Sequence, residues 1–98
     1  MSIETAAYIP IDRSKTLQEE PASGHNRWHP DITPVAEVEP GPVIGLETRD
    51  AFDGFIHPTT TAEDLRNANL GVVHPLTGPV YVKGAEPGDL LEVSIVEV

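Results

Sequence analysis

The chain has 98 residues, with 16 Asp and Glu against six Lys and Arg, for a formal charge of −10. Such an excess of acid repels nucleic-acid phosphates and anionic membranes, and the basic residues Arg13, Lys15, Arg27, Arg49, Arg66 and Lys83 form no patch, so neither partner is expected. The lack of cysteine removes disulfides, thiolate metal ligation and cysteine nucleophiles, while ten prolines and eight glycines favour short strands and ordered loops over a helical bundle.

The opening Met1-Ser2-Ile3-Glu4 has neither the basic flank nor the apolar centre of a signal peptide. No stretch reaches the roughly 20 apolar residues of a membrane-spanning helix, and a cytoplasmic location is expected. Residues 1–24 read as an N-terminal extension or edge strand, with Tyr8 to Ile11 as the strand because an edge tolerates Pro10. Residues 25–98 read as the β-rich part. Across their boundary runs a loop, 12–34, broken by Pro21, Gly24, Pro30 and Pro34 and carrying His25, Trp28 and His29.

Val35 to Val38 leads into Pro40-Gly41, which suits the centre of a type II turn, and residues 43–48 follow as a strand. A short helix is expected over 61–69, with Thr60 and Glu63 forming a capping box and Gly71 as the stop. Val80 and Val82 alternate with Tyr81 and Lys83 as in a strand. Glu86-Pro87-Gly88 echoes Glu39-Pro40-Gly41 and suggests two similar turn-to-strand entries into one sheet or barrel. In the last segment Leu91, Val93 and Ile95 share one side, with Glu92 and Ser94 opposite. An apolar edge of that kind needs a partner. These three residues are therefore expected to be buried against sequence absent from this chain, with Val98 in or beside a paired strand.

Chemistry is sought first at the histidines, which titrate near neutrality and ligate metals. His29 and Asp31 are candidate ligands for a divalent metal, although their spacing matches no helix-borne metal motif, and an ordered loop pinned by Trp28 explains them equally. Asp50 and Asp53, beyond the strand 43–48, either project into a cleft or shape a turn. His57 reads as a surface residue. His74-Pro75-Leu76-Thr77-Gly78-Pro79 is the most suggestive element: two prolines stiffen the backbone around a histidine, a hydroxyl and a glycine that permits close approach. It suits either a stiff turn or the holding of a small polar substrate.

The string His25-Asn26-Arg27-Trp28-His29-Pro30-Asp31-Ile32-Thr33-Pro34-Val35 resembles an early segment of acetamidase/formamidase proteins. Val73-His74-Pro75-Leu76-Thr77-Gly78-Pro79-Val80 and Gly84-Ala85-Glu86-Pro87-Gly88-Asp89 resemble two later segments of the same family, and Leu46 to Asp50 the strand and acidic residue between them. Thr33 stands where a second proline is usual, and Pro42 where an acidic residue is usual. The resemblance implies the N-terminal part of a mainly β fold with one short helix, incomplete without a second segment, in an enzyme that hydrolyses a short linear amide to carboxylate and ammonia. It further implies oligomers, a partner polypeptide or remainder, and a divalent metal (zinc or calcium), with no organic cofactor. Within that frame His74 is expected to position or protonate substrate, Asp50 to orient a water or ligand, and Thr77, Gly78 and Trp28 to line the substrate site. The alternatives are action on another C–N bond, or a non-catalytic β module that stabilises a partner.

Overall fold

Hydrogen-bonded ladders appear where apolar residues alternate, and they are short. The computed structural model describes residues 3–98. It is mainly β: β1 (Ala7–Ile9), β2 (Gly24–His25), β3 (Ala36–Val38), β4 (Ile44–Leu46), β5 (Leu76–Thr77) and β6 (Val80–Val82), with one helix, α1 (Ala62–Arg66), and two 3-10 turns, Pro21–Ser23 and Leu70–Val72.

The strands form three pairs. β1 lies parallel to β4, with Ala7 opposite Ile44 and Ile9 opposite Leu46. β3 lies parallel to β6, with Ala36 opposite Val80 and Val38 opposite Val82. β2 and β5 are antiparallel. The chain bends at Pro40-Gly41-Pro42, with Gly41 at φ 108, and the strands on either side of the bend join different sheets. β1 packs on β3, and Ile9 and Val38, the buried aliphatic side chains among the described residues, lie on these two strands.

That core is thin for the chain length. The solvent-accessible surface is 7853 Å², whereas a compact monomer of this mass exposes about 5,500 Å². The radius of gyration is 15.8 Å, against about 13 Å for a compact domain of this size. Parallel ladders are normally covered on both faces; here Tyr8, Leu46 and Tyr81 lie on open faces.

One expectation changes. The helix starts one residue later than read, because Thr60 is occupied elsewhere: its hydroxyl accepts from the His57 amide at 2.7 Å. Thr61 takes the cap, accepting from the Asp64 amide while Asp64 accepts from the Thr61 amide at 3.0 Å. The helix stops at Arg66 because none of its residues is buried, and a short helix without a packed face does not propagate. Residues 90–98 form no ladder with the other described residues, and the partner expected for them lies outside this chain. A strand requires a neighbour for its amides and carbonyls, and the described residues supply none; Leu91, Val93 and Ile95 are 58%, 82% and 80% exposed.

Gly24 is fixed by close approach rather than by its dihedrals. A Cβ there would sit 2.4 Å from the Leu76 carbonyl oxygen, a backbone atom that cannot turn aside. Gly24→Ala is expected to part β2 from β5 and to cost about 1–3 kcal/mol. A urea midpoint equal to that of the parent would contradict this.

Candidate functional site

The segment His74 to Pro79 is wedged between two others. On one side it pairs through β5 with β2, and the Gly78 amide donates to the Ser23 carbonyl at 3.3 Å. On the other, the His74 amide donates to the Ala51 carbonyl at 2.8 Å and the Thr77 hydroxyl donates to the Glu47 carbonyl at 2.5 Å. Pro75 and Gly78 are buried while His74 and Leu76 face outward, so the stiff ring and the glycine sit inside and the histidine is presented. Gly78 has φ 126, and its Cβ position would be 3.2 Å from the Val80 amide nitrogen, so no side chain fits there without strain.

His74 itself has φ 60 and Asp53 has φ 53, the two non-glycine residues in the left-handed region among the described residues. Each such residue costs about 1–3 kcal/mol and persists where its surroundings over-determine it. Both sit at the same junction, since residues 50–54 form the turn whose Ala51 carbonyl holds His74.

Asp50 shapes that turn. Its Oδ1 accepts from the Phe52 amide and its Oδ2 from the Gly54 amide, each at 2.8 Å. The structure thus brings the backbones of the two expected catalytic residues, Asp50 and His74, to one place, with the Asp50 carboxylate bound to its own loop. Thr77 and Gly78 lie on the same segment. Trp28 is apart from it and 91% exposed. A shallow cleft of about 370 Å³ opens beside β2, lined by Gly24, Ile32, Pro34 and Gly78 among others; His74, Asp50 and Trp28 do not line it. His25 holds its Nδ1 2.6 Å from the Arg27 carbonyl, an acceptor, so that nitrogen donates to it.

The metal candidates are neighbours. His29 Nδ1 accepts from the Asp31 amide at 3.1 Å and lies 3.9 Å from Asp31 Oδ2. Among the described residues no three His, Asp or Glu side chains converge, so this chain alone does not fit a complete divalent-metal site, and no step is derived through one.

Arg49 and Glu47, neither a candidate from the sequence, and Asp53, weighed there as a cleft or turn residue, make the strongest polar contacts. The Arg49 side chain, 7% exposed, pairs with Asp53 at 3.1 Å, donates to the Lys15 carbonyl at 2.6 Å and lies 3.6 Å from Glu20 Oε1. Asp53, with its side chain 6% exposed, also accepts from the Leu17 amide at 2.7 Å. Glu47 accepts from the Ile11 amide at 2.9 Å and from the Tyr8 hydroxyl at 2.7 Å. These donors hold the Glu47 carboxyl below its ordinary value, the Ile11 amide contributing most, and the same bond holds the Tyr8 hydroxyl above its own. The available signals were the spacing of opposite charges at Arg49 and Asp53 and the position of Glu47 at the end of a strand.

Residues 10–98 match the model of the Acetamidase/Formamidase family. The chain is 44% identical over 88 residues to the acetamidase of Mycolicibacterium smegmatis, covering 90% of this chain and 22% of that protein. It is 42% identical over 90 residues to the formamidase of Methylophilus methylotrophus, covering 92% of this chain and 22% of that one. Among solved structures, the gamma lactamase from Delftia acidovorans superposes with a TM-score of 0.74 at 46% identity, over 85% of this chain and 20% of that chain. The chain therefore spans about a fifth of the length of the relatives it matches.

Because the Glu47 carboxyl is depressed in the folded state, its contribution is full above the ordinary value of 4.5 and fades as pH falls through the lower folded value. Glu47→Gln should flatten the loss of stability on acidification from pH 4.5 downward. Equal acid-induced loss in parent and variant, followed by thermal melts, would show the carboxylate to be idle.

Proposed function

The chain belongs to the acetamidase/formamidase family, and from that premise we propose that it contributes the His74 junction to an amidase that hydrolyses short linear amides, such as formamide or acetamide, to carboxylate and ammonia. The remaining sequence of the enzyme, or a second polypeptide, completes the fold and the pocket, in a cytoplasmic oligomer. The observation that carries the reading is the bond from the His74 amide to the Ala51 carbonyl, which sets a strained, outward-facing histidine against the Asp50 turn.

Amide hydrolysis needs a nucleophile, stabilisation of the carbonyl oxygen and a proton for the departing nitrogen. Water is the nucleophile in this reading, since hydrolysis delivers its oxygen to the product carboxylate. Its oxygen forms the new bond to the carbonyl carbon, the C–N bond breaks, and the nitrogen leaves as ammonia after gaining a proton. His74 positions the substrate or delivers that proton. Asp50 orients the water through the lone pairs its turn leaves free, and Thr77 and Gly78 form the floor. Trp28 lies on the rim that meets the rest of the enzyme. His29 and Asp31 offer two donors to a divalent metal, zinc or calcium, whose other ligands come from outside this chain.

A second reading has its own support. The similarity to a protein titled a gamma lactamase favours a cyclic amide as substrate, with the same bond broken. Ammonia release from linear amides and ring opening of a γ-lactam by the assembled protein separate the two. His74→Asn keeps the backbone conformation accessible, since Asn tolerates positive φ. It is expected to reduce turnover by at least about tenfold, within the range of general acid–base groups. Parent-like kinetics on every amide would remove His74 from the chemistry.

A further inference from the structure

The buried Arg49–Asp53 pair has no direct path to a substrate, yet it sits beneath the turn that holds His74. Arg49 Nη1 donates to Asp53 Oδ1 and to the Lys15 carbonyl, while Nη2 is buried with no hydrogen-bond partner and faces Glu20 at 3.6 Å. Asp53 in turn takes the Leu17 amide on its other oxygen. Both ends of the 49–54 turn are therefore tied to the loop 15–20. Asp50 closes the turn from within through Phe52 and Gly54, and Ala51 presents its carbonyl to His74.

We infer that Arg49, acting through Asp53, is a positioning residue that holds the 50–54 turn and so fixes His74 in its left-handed conformation for turnover. The inference rests on the amidase reading above. The linkage is short: the guanidinium fixes residue 53, residue 53 sits in the same strained region as His74, and one backbone hydrogen bond joins the turn to His74. The guanidinium matters because one nitrogen, Nη1, meets Asp53 and the Lys15 carbonyl while the second, Nη2, faces Glu20, and the shorter lysine with its single nitrogen cannot do both. Displacements on the order of 1 Å at a reacting group can reduce rates by ~100-fold.

The test is made in the assembled, active protein with Arg49→Lys and, as an isosteric second variant that keeps tolerance for positive φ, Asp53→Asn. Each is expected to lower kcat by ~10- to 100-fold, with KM changed by less than about threefold, as for an interaction used in the transition state. Amide hydrogen exchange should accelerate at His74 while the Lys83 amide, bonded to Val38 in the β3–β6 ladder, keeps the parent rate. Unchanged kcat in a folded variant overturns the inference, as does exchange rising equally at His74 and Lys83, which marks general destabilisation. If His74→Asn turns over normally, the amidase role of His74 fails, and the exchange comparison alone decides whether Arg49 holds that histidine.

Discussion

A guanidinium buried in a protein is destabilising unless carboxylates and carbonyls surround it, and this requirement organises much of the first half of the chain. The Arg49 side chain draws in Asp53, the Lys15 carbonyl and Glu20. In doing so it pins the irregular loop 12–23 onto the end of β4. Removing one member of such a pair leaves the other charge buried, typically at about 3–5 kcal/mol. With Ile9 and Val38 the buried aliphatic side chains among the described residues, this ionic centre does work that a larger core would otherwise do. Glu47 extends it, tying Tyr8 and Ile11 to the same stretch through its side chain and Thr77 through its backbone.

The excess surface follows from the same thinness. Two parallel ladders of three residues each expose an outer face and offer unpaired edges, and the apolar residues from Leu90 to Val98 are open to solvent. The chain corresponds to 22% of the length of its relatives, and its β1–β4 and β3–β6 pairs are the kind of ladder that other proteins cover with further structure. The acidic composition suits this state, because Glu92 and Glu97 interrupt the apolar run and discourage unwanted edge pairing.

Much of the local structure was legible in the sequence, and little of the pairing was. Alternation located β6, and Pro40-Gly41 marked the entry to β4, because side-chain period and permitted φ are local properties. The parallel partnerships of Ala7 with Ile44 and Ala36 with Val80 could not be read, since an alternating segment does not state which other segment it will join. Three consecutive threonines made the start of α1 ambiguous by one residue, and the choice fell to Thr61 because Thr60 had a closer partner in His57. At the site, the segment from His74 to Gly78 stood out through its proline and glycine constraints. Arg49 did not, because a lone cation in an acidic chain looks like a solvated surface group until burial is known. Trp28 looked like a pocket wall and lies exposed.

Several of the ties that hold the opening residues reach far forward along the chain. Leu17 is bonded to Asp53 across 36 positions, Ile11 to Glu47 across 36, and Tyr8 to Glu47 across 39. Contacts of such span form slowly, since each must close a long loop before it gains anything. During synthesis, at about 5–20 residues per second, residues 7–38 therefore wait for partners made after them. Tyr8, Ile11 and Leu17 are held once the segment carrying Glu47 and Asp53 has emerged, while β2 and β3 gain their ladders only when β5 and β6 follow.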